Sequence, residues 1–200
     1  MEAVSYLNPT DSIPEHVVSD LDRPHRFSAS GLYELPFGRG KRFWGSARGV
    51  WNHIVGGWQI QAIYQAQSGP GLAFGDVIYT GRYQDLKLPS GVRNIDRWFN
   101  TDGFERNSQR QLANNIRTLP SRFSGVRADG INVWDLSAHK NFKIWERLTM
   151  QLRCEAEGAM NTPNFAAPNV APTSTLFGRV TATQTGQEER RIFVGLKLLF

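Results

Sequence analysis

The clearest regularity along the chain is an alternation of apolar and polar residues with a period of two, and it recurs five times. In RRIFVGLKLLF, residues 190 to 200, Ile192, Val194, Leu196, Leu198 and Phe200 fall on one side and Arg191, Phe193, Gly195, Lys197 and Leu199 on the other. In RLTMQLRCEAE, residues 147 to 157, Leu148, Met150, Leu152, Cys154 and Ala156 oppose Arg147, Thr149, Gln151, Arg153, Glu155 and Glu157. WQIQAIYQAQS sets Trp58, Ile60, Ala62, Tyr64 and Ala66 against glutamines broken only by Ile63, and HRFSASGLYELPF sets Phe27, Ala29, Gly31, Tyr33 and Leu35 against Arg26, Ser28, Ser30, Leu32 and Glu34. NVWDLSAHKNF is weaker: Trp134, Leu136, Ala138 and Phe142 share their side with a charge, Lys140. Successive side chains of a strand point to opposite faces, so the pattern predicts five strands, each with one apolar face.

The connections set the architecture. About twenty residues follow Phe37, a long stretch runs from Ser68 to Gly130, a tight turn spans Lys143 to Glu146, and a second long stretch runs from Gly158 to Glu189. The long stretches are rich in Gly, Pro, Asn, Ser and Thr and show no periodicity, so they read as structureless loops, which compact soluble domains rarely tolerate at that length. Short turns at one end and long loops at the other are the pattern of an outer-membrane barrel, with the short turns in the periplasm. The expected fold is therefore all-β: an antiparallel transmembrane β-barrel segment of about five strands, an incomplete barrel, with long extracellular loops. With Phe200 at the periplasmic rim, residues 190 to 200 run inward, 147 to 157 outward, 132 to 142 inward, 58 to 68 outward and 26 to 36 inward. Trp58, Phe142, Trp145 and Phe200 then gather at the periplasmic end and Trp134 at the outer end, as interfacial aromatic girdles do. Gln61, Gln65, Asp135, Arg153, Glu155 and Lys197 face the lumen, and Lys140 is expected to snorkel to the near rim. A soluble β-sandwich, serving as a binding or adhesion module, is the alternative; its core would be poorly filled by Gly31, Ala29, Ala62, Ala66, Ala138 and Ala156.

Composition narrows the classes. The mean hydropathy of -0.41 and the lack of any apolar run of about 18 residues exclude a transmembrane helix while leaving transmembrane strands open. The formal charge is +5, but the 23 Lys and Arg are dispersed apart from Arg39, Lys41 and Arg42, so no nucleic-acid partner is expected. The single cysteine, Cys154, permits no internal disulfide. The start MEAVSYLNPTDSIPEHVV carries Glu2 and no apolar core, unlike a signal peptide.

Five stretches together resemble a known family, the TonB-dependent outer-membrane receptors, in their Oar-like group with a carboxypeptidase-regulatory-like domain. They are DRPHRFSASGLYELPFGRGKRF, GGWQIQAIYQAQSGPGLAF, WFNTDGF, VWDLSAHKNFKIWERLTMQLRCEAEGAMNTPNF and RRIFVGLKLLF, which between them run from Asp22 to Phe200 in the family's order. The resemblance implies a C-terminal barrel portion, residues 1–200, without the plug domain, energy-coupling box and signal peptide that members carry. It implies residence in the outer membrane and energy-coupled uptake of a scarce ligand. Its implied partners are outer-membrane lipid, the barrel-assembly machinery, the rest of the barrel and plug, and the TonB complex acting through the missing N-terminal part. Phe200 resembles the terminal aromatic that serves as the assembly signal. Five strands are too few to close even the smallest barrel, of about eight, and family barrels have about 22.

No residues point to catalysis. His16, His25, His53 and His139 lack ligand spacing, so no metal and no cofactor are expected, and Asp135 and His139 lie about 13 Å apart along a strand. Glu155 and Glu157 have no nucleophile at a motif spacing and are expected to be neutralised by Arg147 or Arg153. GRG at 38 to 40 reads as a turn rather than a phosphate cradle. The ligand-binding residues are unknown. Tyr79, Tyr83, Trp98, Phe99 and Phe104 in the first long loop could stack on sugars or peptides, or pack the loop on itself. Besides the sandwich, a passive pore assembled from several chains stays open.

Overall fold

The computed structural model describes residues 10, 12–111, 117–186 and 189–200. Among these the chain forms β1 (Arg26–Glu34), a six-residue helix α1 (Val50–Val55), β2 (Trp58–Gln67), β3 (Gly71–Ala73), β4 (Arg122–Arg127), β5 (Ile131–Lys143), β6 (Thr149–Glu157) and β7 (Arg191–Leu199). β1, β2, β5, β6 and β7 lie side by side in that order in one sheet, and β3 and β4 make a separate ribbon. The five sheet strands are the five alternating stretches, with ends moved by no more than three residues, as from 147–157 to Thr149–Glu157.

The sheet is antiparallel. β6 pairs antiparallel with both β5 and β7. Leu35 N–H donates to Trp58 O at 2.9 Å, joining the end of β1 to the start of β2, and Asn141 N–H donates to Gly57 O at 3.1 Å, joining the end of β5 to that same start. Register then decides which face each residue occupies, because a one-residue slip would exchange the faces. Ala138 faces Cys154 and Cys154 faces Val194; Lys140 faces Leu152 and Leu152 faces Leu196. On the opposite side Asn141 faces Gln151 and Gln151 faces Lys197. The alternation read along each strand is thus aligned across strands into one apolar and one polar surface.

The chain divides into two compact units. The sheet unit comprises Arg26–Ala66, Asn132–Pro163 and Gln187–Phe200; the loop unit comprises Met1–His25, Gln67–Ile131 and Asn164–Gly186. Their interiors are opposite in kind. All twelve buried apolar residues among the described positions belong to the loop unit. In the sheet unit Val194 and Leu196 are 72% and 67% exposed, so the apolar surface has no protein packed upon it at β7. β1 and β7 are its edges, and the sheet is not closed into a barrel.

Aromatic rings mark the two ends of the apolar face. At the end where β1 starts and β2 finishes, Tyr64 stacks on Trp134 with ring centroids 4.5 Å apart and meets Phe27 at 5.9 Å, a row crossing three strands. At the other end lie Trp58 and Phe142, with Lys140 between them. The expectation that Lys140 snorkels is corrected here. Its side is as expected, but it is 3% exposed, and its ammonium donates to Ile54 O at 3.0 Å and to Gly56 O at 2.5 Å. Two carbonyls in and just after α1 satisfy the charge where headgroup water was expected to do so.

A second correction concerns the long stretches, which are not structureless. They contribute β3, β4 and the whole apolar core of the loop unit. Periodicity failed there because core residues such as Phe74, Phe99 and Leu119 sit in turns and extended segments, and Leu86 at the end of a single 3-10 turn, with no common repeat.

The two-faced register has a direct test. With the chain in lipid bilayers, a cysteine-directed label at position 152 or 196 should be quenched by spin-labelled lipid, and one at 151 or 197 should not. Reversed accessibility would show the register to be wrong by one residue.

Candidate functional site: a polar wall and a folded loop unit

The polar face of the sheet is held together by its own side chains. Gln151 donates to Asn141 Oδ1 at 2.9 Å across the strand pair, and Arg153 pairs with Glu155 at 2.8 Å. Of the two arginines expected to neutralise the glutamates, Arg153 takes Glu155, while Glu157 faces Arg191 on β7. His139 Nε2 lies 3.8 Å from Glu155, too long for a hydrogen bond. Asp135 accepts the Gly158 N–H at 2.9 Å and so ties the β5 end to the turn after β6. The surface offers donors and acceptors to water or a polar solute, as the lumen side of a barrel wall does. The 38–40 turn is as read: Lys41 N–H donates to Gly38 O at 3.0 Å.

The loop unit is built like the interior of a water-soluble domain. Phe99 and Phe104 each meet Phe177, with centroids at 5.3 and 5.0 Å, and Tyr79 meets Phe104 at 4.7 Å. The first long stretch is therefore welded to the second through ring contacts at near-perpendicular and tilted angles, the preferred arrangements for aromatic quadrupoles. Polar stitches follow the same seam. Trp98 N–H donates to Gly178 O at 2.8 Å, Asp129 Oδ2 accepts Phe165 N–H at 2.9 Å, and Gln184 Nε2 donates to Phe165 O at 3.1 Å and to Gly130 O at 3.2 Å. The N-terminal segment is tied in by Glu15 and Arg117, an ion pair at 2.7 Å with both side chains almost wholly buried. Gly69 is required where β2 gives way to this unit, since a Cβ there would meet Ala128 O at 2.2 Å.

These contacts decide between the two uses left open for the loop aromatics. Tyr79, Trp98, Phe99 and Phe104 are buried in the core and cannot stack on a solute; Tyr83 is exposed. The Tyr79 phenol donates to Arg82 O at 3.0 Å, and burial, with the nearby Asp85 carboxylate, raises its pKa so that it stays protonated. What the loop unit presents outward carries both signs of charge, with Arg82 paired to Asp85 and Arg97 to Asp102. A cavity of about 360 Å³ is bordered by Lys87, Arg93, Trp98, Ser124 and Arg127, with the Arg93 guanidinium 4.4 Å from the Trp98 ring centroid and Arg127 already paired with Asp22 at 2.5 Å. A second, of about 200 Å³, lies between Arg23, Gly69, Asp129 and Gln184. Sequence reasoning reached neither, because their walls join segments far apart in the chain, Arg93 with Arg127 in the first and Arg23 with Gln184 in the second. Among the described residues no three His, Cys, Asp or Glu side chains converge as metal ligands would.

A five-stranded antiparallel sheet with one bare apolar face, aromatics at both ends of that face and a hydrated opposite face defines a section of an outer-membrane β-barrel wall. The chain matches the family described as Outer membrane beta barrel domain over residues 2–193, and it belongs to that family; its place is the outer membrane. No curated protein and no solved structure matches it.

The loop core can be probed through Phe99, which is fully buried. Phe99→Ala should cost the loop unit about 3–5 kcal/mol. Hydrogen exchange of amides 98–104 would read this as faster opening, with β6 amides in lipid unchanged. Equal exchange in variant and parent would mean that Phe99 is not a core residue.

Proposed function

We propose that this chain is the C-terminal portion of a TonB-dependent, Oar-like outer-membrane receptor that takes up a scarce ligand with energy coupling, rather than a passive pore. The observation that carries this reading is the open sheet: five strands with two free edges and a lipid-type face have to be completed by further strands, as in a large barrel of about 22. The polar wall of Gln, Asn, Arg and Glu suits a lumen occupied by water or a plug, and the loop unit packs on an aromatic core of its own. The resemblance of the five sequence stretches supplies the receptor type. The energy-coupling complex, the plug and the rest of the barrel are its partners in this reading. Ligand capture falls to the exposed polar surface of the loop unit, since four of its five candidate aromatics are internal.

Phe200, fully exposed one residue beyond β7, is assigned as the signal read by the barrel-assembly machinery. Its contribution to stability is small, because burying a Phe completely is worth only about 1.5–3 kcal/mol and a rim position yields less. Deleting Phe200, or Phe200→Asp, in the receptor that carries this chain should therefore sharply lower the heat-modifiable species in outer-membrane fractions. Material refolded in detergent should keep its spectrum and melting temperature. Equal insertion of deletion and parent would reduce Phe200 to one more interfacial aromatic. The receptor reading itself is tested by conductance: the purified receptor in a planar bilayer should show no steady open level, whereas a continuously conducting channel would favour the passive pore.

A further inference from the structure

From the placement of α1 on the rim of the lipid-facing sheet, we propose that residues 38–58 form an interfacial anchor that binds anionic phospholipid headgroups in the periplasmic leaflet of the outer membrane. This rests on the reading of the sheet's apolar face as lipid-facing. It also rests on the rule that short connections face the periplasm, since the β1–β2 connection shares its end of the sheet with the tight β5–β6 turn.

Three features of the segment converge. The first is position. Lys140 stands in the apolar row, opposite Leu152, with its ammonium 4.8 Å from the Trp58 ring and 5.0 Å from the Phe142 ring, and it donates to Ile54 O and Gly56 O. Trp58 Nε1 donates to the same Ile54 carbonyl at 2.9 Å. α1 is thus tied by its C-terminal carbonyls to the lipid face of the wall, level with the aromatic rim.

The second feature is the surface α1 leaves open. Val50 and Ile54 lie one helical turn apart on one side of α1, with Trp51 beside them, and all three are exposed, Trp51 at 71%. Trp44 and Phe43 in the preceding turn are exposed as well, and Trp is the residue that favours the headgroup level of a bilayer.

The third is charge. Residues 35–57 contain Arg39, Lys41, Arg42 and Arg48 and no Asp or Glu, and all four cations are exposed. Lys41 also reaches Glu34 at 2.9 Å; the others make no ion pair among the described residues. The basic turn and the helix are one rigid piece. Asn52 Oδ1 accepts the Arg39 N–H at 2.7 Å, and Gly38, at φ +106°, packs so closely that a Cβ would meet Gly56 Cα at 2.7 Å. A short helix with Trp and aliphatics beside a cluster of cations fits a phosphate-bearing membrane surface.

The test uses the full chain with Cys154→Ser and one NBD-labelled cysteine, reconstituted in phosphatidylethanolamine vesicles with or without phosphatidylglycerol. A Val50→Cys label should be quenched by lipid spin-labelled near the headgroup, and shielded from aqueous iodide relative to a Tyr83→Cys label. Phosphatidylglycerol should strengthen that quenching, and each of Arg39→Gln, Arg42→Gln and Arg48→Gln should lower the ratio of seated to open helix about fivefold. Lys140→Met should release α1, so that the label at 50 loses lipid quenching while one at Leu152→Cys keeps it. If position 152 is lipid-quenched and position 50 is as open to iodide as position 83, the anchor is overturned and the lipid-facing sheet stands. If Lys140→Met leaves position 50 unchanged, the tie through Lys140 is overturned. A label at 152 that lipid does not quench overturns the sheet reading and the anchor together.

Discussion

The structure depends on burying the apolar face of β5, β6 and β7, which this chain does not cover with protein. Ile192, Val194, Leu196 and Leu198 are aligned by register with Ala156, Cys154, Leu152 and Met150, and those of β7 lie open. At roughly 25 cal/mol per Å² of apolar surface, a sheet with such a face is stable only if something non-aqueous covers it. A bilayer does so, and it also explains the aromatics at both ends of that face, Phe27, Tyr64 and Trp134 at one and Trp58 and Phe142 at the other. Backbone groups at membrane depth have to be paired within the protein, so the two open edges call for further strands and not for solvent.

The loop unit obeys the opposite rule. Its core of Leu72, Phe74, Leu86, Phe99, Leu119 and Phe177 is closed off from water by its own chain, and its buried Glu15–Arg117 pair is matched within the unit. Removing one member of such a pair typically costs about 3–5 kcal/mol, so the segment around Glu15 is a structural part of the unit. One chain thus combines a unit that needs lipid with a unit that needs water, which is the division of labour of a barrel wall and the loops it displays.

Much of this was legible in the sequence, and the reason is physical. A strand with one apolar face advertises itself at a period of two, and Leu152 beside Gln151 or Leu196 beside Lys197 is enough to assign faces before any coordinates exist. That the chain is an outer-membrane β-barrel domain was legible for the same reason. Lys140 looked like an error in the pattern because the partner that accommodates it, the carbonyl end of α1, lies some 84 to 86 residues earlier and contributes backbone atoms, which leave no side-chain signature. The loop unit was illegible for a related reason: Phe104 and Phe177 touch across two stretches with no repeat, so composition alone hinted that so many aromatics in Gly- and Pro-rich sequence had something to pack against. The cavities beside Arg93 and Asp129 were beyond reach because they exist only once those stretches meet.

The central claim is that lipid forms the sheet's missing core while the loop unit supplies its own. Hydrogen exchange of the chain, measured residue by residue in phospholipid bilayers and in detergent-free buffer, tests it most directly. The amides of β6, paired on both sides, should be strongly protected in bilayers and exchange freely in buffer, while those of Trp98, Phe99 and Leu119 should be protected in both. Protection of β6 that is equally strong in buffer, in a monomer without lipid, would contradict the account and mean that the sheet buries its apolar face in protein.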